Sequence, residues 1–131
     1  MTNIPESASD RREFFRMDFR QPVKFREFQR DESGPKLGTS ENISQSGLLF
    51  KTRIVPPLSS ILWMDVDIRT LRICQEIENR ALVQDDGLLG RVVRVEEDPD
   101  ETNTYNVGVC FLRKSDTTQI PSRQSYPGRP A

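Results

Sequence analysis

The sequence predicts an all-β, mainly antiparallel domain, closed or nearly closed into a small barrel. Three observations lead there. Apolar and polar residues alternate over several short runs, clusters of Gly, Pro, Asp and Asn separate those runs, and no long helical pattern intervenes. At 131 residues the chain is one domain with a single modest core.

Residues 1–10 carry Pro5 and two serines with little hydrophobicity, and read as a mobile leader. From Met17 the pattern is extended: Met17, Phe19, Val23 and Phe25 alternate with Asp18, Lys24 and Arg26, and Pro22 opposes a helix. Asp31–Pro35 is turn chemistry, punctuated by Gly34-Pro35. A second strand is expected over Lys36–Glu41, a tight connection over Asn42–Gly47, and a short strand at Leu48–Phe50 that ends before Pro56-Pro57. The next run is the clearest. Leu62, Met64, Val66 and Ile68 share one face; Trp63, Asp65, Asp67 and Arg69 share the other, as a wet edge or a contact surface.

Residues 70–87 admit two patterns. Leu71, Cys74, Ile77 and Ala81 recur at roughly helical spacing, while Leu71, Ile73 and Ile77 also fit an interrupted strand; an extended hairpin is the expectation. Asp85-Asp86-Gly87 makes a turn, after which Leu89, Val93 and Val95 are inward candidates. Tyr105, Val107, Val109 and Phe111 close the pattern after the Asp98–Asn103 turn. The domain is thus placed at 11–113. Residues 114–131 gain Pro121, Pro127, Gly128 and Pro130 and too few apolar groups to offset the entropy of ordering, so a disordered tail is expected.

Charge and composition narrow the function classes. The 19 Lys and Arg are balanced by 20 Asp and Glu, so no global field attracts nucleic acid. Locally, Arg11, Arg12, Arg16, Arg20, Lys24, Arg26 and Arg30 crowd the N-terminal third, which suits a small polyanion better than a long duplex. Histidine is absent, which removes the commonest general base and any ordinary Ser-His or Cys-His pair, so no enzyme is expected. Cys74 and Cys110 make neither a disulfide framework nor a metal site. No apolar run is long enough to span a bilayer and no secretory signal is legible, so a cytoplasmic location is expected.

Two motifs carry the functional reading. Arg12 and Arg16 form Arg-x-x-x-Arg ahead of the first strand; the spacing recurs at Arg16–Arg20 and Arg26–Arg30 and says little alone. Asn42-Ile43-Ser44-Gln45-Ser46-Gly47 has the rarer form Asn/Asp-x-Ser-x-x-Gly. Guanidinium forks grip phosphates and the O6/N7 edge of guanine, an amide and a hydroxyl meet the remaining base edges, and glycine permits a sharp turn and close approach. In most proteins an Asn, Ser and Gly trio is only a β-turn. Their order, followed by Gly90–Glu96 and Tyr105–Leu112 as the last two strands, resembles the PilZ domain family of bacterial cyclic di-GMP receptors over most of residues 11–112.

That resemblance implies about six strands, with the Arg-rich segment as a flexible flap. It implies a ligand site of Arg12 and Arg16, with Asn42, Ser44 and Gly47, and no metal or further cofactor. Asn42 stands where the family more often has Asp and offers one acceptor oxygen rather than two. Ser44 is expected to serve ligand or loop, and Gly47 to leave the turn with positive φ. Arg11, just ahead of the motif, is either a solvated neighbour or a further ligand-site cation that serves a second stacked nucleotide. Many family members continue into a C-terminal helix that cannot be written through Ser115–Pro121, which leaves one barrel end needing another cover, a homodimer being one. The expected function is a second-messenger sensor that signals through a protein partner of motility, adhesion or exopolysaccharide machinery. The alternative is a PilZ-like interaction module that does not bind the nucleotide. An oligonucleotide-binding barrel ranks last, because no strand carries an aromatic platform.

Overall fold

The computed structural model describes residues 16–28 and 34–115. The leader, Arg11 to Phe15 and the tail from residue 116 lie outside the described residues. Strand β1 spans Met17–Asp18, β2 Pro22–Glu27, β3 Lys36–Ile43 and β4 Gly47–Thr52. Then come β5 (Ile61–Val66), helix α1 (Cys74–Arg80), β6 (Val83–Gln84), β7 (Gly87–Glu97) and β8 (Tyr105–Phe111).

All pairings are antiparallel. The path runs β3–β2–β5–β7–β8–β4 and returns to β3, closing a six-stranded barrel, with β1 beyond the start of β2 on the same side of β3 and β6 paired to β7. Closure leaves no open sheet edge in the barrel. The interior is filled by the inward halves of the alternating runs: Val23, Phe25, Phe50, Leu62, Met64 and Val107 are all at most 1% exposed. The Phe25 and Phe50 rings meet at 5.0 Å between centroids, tilted by 52°. The all-β barrel expected from the alternation is the fold observed.

Two β-bulges shift which residues point inward. In the β7–β8 ladder Val92 pairs with Val109 and Arg94 with Gly108, so Val93 is the extra residue. Val92 keeps the inward parity of Leu88 and Gly90, Val93 and Arg94 both face outward at the bulge, and Val95 returns towards the core. Val93, expected inward, is therefore 52% exposed. The second bulge, in β3, shapes the site described below.

Residues 70–87 are the main correction. The chain leaves β5 through an Asx turn, Arg69 N–H donating to Asp67 Oδ1 at 3.1 Å, and then winds into α1 rather than an extended hairpin. The helical spacing prevails because it puts Ile77 and Ala81 together into the barrel core, both fully buried, with Leu71, Ile73 and Cys74 packed around them. Only the last part of the stretch is a hairpin. Asp85 and Asp86, at φ +53° and +63°, turn β6 into β7 with both central residues left-handed.

Helix α1 leaves the end of β5 and leads through β6 to the start of β7, so it caps the barrel end where β8 finishes. It supplies a cover for that barrel end from within the described residues. Trp63 is also covered by its own chain. Its indole N–H donates to the Gln84 carbonyl at 3.0 Å, the Arg26 guanidinium lies 4.6 Å from the ring centroid, and a small cluster of Phe28, Ile61, Leu89 and Leu112 packs beside it. No partner or second copy is needed to explain this tryptophan.

Candidate functional site

The bulge in β3 decides where the motif residues point. Ser40 pairs with Phe50 and Asn42 with Leu49, which leaves Glu41 as the extra residue opposite β4. Strict alternation from the fully buried Ser40 would send Asn42 inward. The extra residue reverses the parity, so that Ile43 enters the core at 0% exposure and Asn42 turns outward. On the other side of β3, the gap between β1 and β2 is stitched by Ser40. Its hydroxyl donates to the Phe19 carbonyl and accepts from the Gln21 N–H at 2.8 Å, and Phe19 N–H donates to the Glu41 carbonyl at 3.1 Å. These bonds hold β1 against the end of β3, with Asp18 opposite Asn42 and Met17 opposite Ile43.

The residue just before β1 is Arg16. Its Nη1 donates to Asn42 Oδ1 at 2.8 Å across 26 residues of sequence. One half of each motif is thereby joined. The amide oxygen has a second lone pair, so the contact leaves Asn42 able to accept a further donor.

The turn that follows is tighter than the expected Asn42–Gly47 connection, since Asn42 and Ile43 still belong to β3. Ser44 N–H donates to the Gly47 carbonyl at 2.9 Å, and Ser44 Oγ accepts from the Ser46 N–H at 3.1 Å. Ser44 is 2% exposed, so its hydroxyl shapes the loop. The exposed hydroxyl belongs to Ser46, at 3.1 Å from Ser44 Oγ, a residue the motif reading passes over as variable.

Gly47 corrects a further expectation. Its φ is not positive; Gly34 alone among the described glycines has that conformation. Glycine is required instead by close approach, because a Cβ there would stand 2.4 Å from the Val109 carbonyl oxygen of β8. The turn is thus clamped between β3 and β8, and Phe111 N–H donates to the Ser46 carbonyl at 2.9 Å. Arg11 and Arg12 lie outside the described residues. Arg20, one of the N-terminal cations, pairs at 3.6 Å with Glu41 on the barrel wall.

Among the described residues, no group of three His, Cys, Asp or Glu side chains is placed to hold a metal ion. No helix among them is long and apolar enough to cross a membrane.

Known proteins bear on this arrangement. No curated protein sequence matches the chain. Among solved structures, the inhibitor of motility (MotI/DgrA) of Bacillus subtilis is similar in fold, with a TM-score of 0.52 at 14% identity. The match covers 91% of this chain and 53% of that one, so the chain spans about half the length of that protein. The PilZ domain model matches residues 10–124, taking in both motifs and every strand of the barrel. The chain therefore belongs to the PilZ domain family, a family of cyclic di-GMP receptors that act by binding and partner contact.

Proposed function

We propose that this protein is a cytoplasmic cyclic di-GMP sensor that binds the nucleotide between its Arg-rich N-terminal segment and the Ser44–Gly47 turn. The observation that carries the reading is the Arg16–Asn42 hydrogen bond, which joins one residue of each motif on the barrel surface. Arg16 and Arg12 grip phosphate and the guanine O6/N7 edge, and Asn42 accepts from a base N–H through its remaining lone pair. Gly47 keeps the turn low against β8, and Ser44 holds its shape.

Binding in this way is non-enzymatic. It orders the segment ahead of β1 against the rim and so creates or hides a surface for a protein partner. The family resemblance points to motility, adhesion or exopolysaccharide machinery as the setting. Calorimetric titration with cyclic di-GMP, GMP and single-stranded RNA tests the reading. Saturable heat with cyclic di-GMP alone is expected. Heat with none of the three in folded protein supports the interaction-module alternative, and binding of RNA supports the oligonucleotide barrel.

A further inference from the structure

Strand β1 brings more than Arg16 to the motif. Its two residues pair with the end of β3, Met17 opposite Ile43 and Asp18 opposite Asn42. The register fixes which way each side chain points. Met17 packs on the core with the fully buried Ile43, so Asp18 and Asn42 share the outer face. Residues directly opposite in an antiparallel pair hold their Cβ atoms about 4.5–5.5 Å apart. The exposed Asp18 carboxylate therefore stands next to the amide that accepts from Arg16.

An acid on an outer strand face has an ordinary explanation, as a solvated charge or as half of an ion pair. The neighbouring cations do not make the pair. Arg16 Nη1 turns to Asn42 Oδ1 at 2.8 Å and Arg20 to Glu41 at 3.6 Å, and among the described residues no donor meets the Asp18 carboxylate. A negative charge beside a site for a phosphate ligand is unfavourable unless that ligand also brings donors. Guanine does. Its Watson–Crick edge carries two adjacent donors, N1–H and the exocyclic amino group. Asn42 has a single acceptor atom, and Arg16 already occupies part of its capacity. A second acceptor is needed, and Asp18 is the adjoining group that has one.

We propose that Asp18 is a specificity-determining residue, accepting from the guanine amino group while Asn42 accepts from N1–H. This rests on the cyclic di-GMP reading above. The two acceptors that one carboxylate would hold in a single side chain are here divided between two paired strands. Strand β1 then selects the base as well as anchoring the N-terminal segment.

Cyclic di-IMP is the probe, because it lacks the amino group and keeps N1–H, O6, N7 and both phosphates. Calorimetry compares it with cyclic di-GMP on the unsubstituted protein, Asp18→Ala and Asp18→Asn, with circular dichroism as the check on folding. The unsubstituted protein should prefer cyclic di-GMP about tenfold or more, the loss expected when a hydrogen bond to a charged group is not made. Asp18→Ala should weaken cyclic di-GMP about tenfold, leave cyclic di-IMP unweakened, and so abolish the preference. Asp18→Asn, which keeps the shape and one acceptor oxygen, should retain part of it. Tighter or unchanged binding of cyclic di-GMP in Asp18→Ala marks the carboxylate as a bystander or a repulsive charge and overturns the assignment. Equal weakening of both nucleotides overturns it too, as does the absence of any preference in the unsubstituted protein. Each of these leaves the sensor reading standing. Absence of binding heat with either nucleotide in the unsubstituted protein overturns the sensor reading, and the Asp18 contact with it.

Discussion

Arg16 reaches Asn42 because one extra residue, Glu41, turns the β3 strand by half a pleat and sends the amide out of the barrel. The consequence for binding is quantitative. A hydrogen bond to a charged group contributes about 1.5–3 kcal/mol, so Arg16→Ala should weaken cyclic di-GMP binding roughly ten- to hundred-fold with the fold intact. Calorimetry on a variant with unchanged circular dichroism checks this, and Arg12→Ala should behave alike. Gly47 bears on stability as well. Alanine there drives a Cβ to 2.4 Å from the Val109 carbonyl, a backbone atom that cannot swing aside. Gly47→Ala should therefore cost about 1–3 kcal/mol in chemical denaturation, the range for overpacked sites.

Among the elements, α1 is the one whose role differs most from expectation. Ile77 packs into the barrel core and is fully withdrawn from water, while Glu76, Glu78 and Asn79 face solvent. Ile77→Ala should destabilise the domain by about 2–5 kcal/mol, read from urea melts, since it opens a cavity beneath the helix. The alternation of Leu62, Met64, Val66 and Ile68 was enough to place β5, and so was that of Val107, Val109 and Phe111 for β8. Residues 70–87 were not legible in this way. Leu71 and Ile77 satisfy both periods, and the choice is made by the long-range burial of Ile77 and Ala81. The bulges at Glu41 and Val93 leave no local signal either, because ladder pairing with β4 and β8 decides them. For the site, the motif named Asn42, Ser44 and Gly47. Packing then shows that Ser44 and Gly47 shape the turn, and that Ser46 carries its exposed hydroxyl.

Across the whole molecule the two barrel ends differ in chemistry. The motif turn and α1 occupy one end, and the Asp98–Asn103 turn occupies the other. There Asp98, 4% exposed, accepts from the Asp100 and Glu101 N–H groups at 2.7 and 3.0 Å and pairs with Lys51 of β4 at 3.0 Å. The Asp100 N–H and then the Lys51 ammonium hold its carboxyl down, at about 2 against an ordinary 3.8. A depressed folded-state value means that the stabilisation is complete above the ordinary value and is lost as pH falls through about 2. Thermal midpoints should accordingly drop between these pH values. Asp98→Asn should lower the midpoint at neutral pH and flatten the acid limb. At the opposite end, the central claim is that cyclic di-GMP joins the N-terminal segment to the motif turn. Hydrogen exchange followed by mass spectrometry, with and without cyclic di-GMP, tests that claim most directly. The account predicts new protection over residues 9–17 and 42–47 together, whereas protection confined to other barrel strands, or none under saturating ligand, would contradict it.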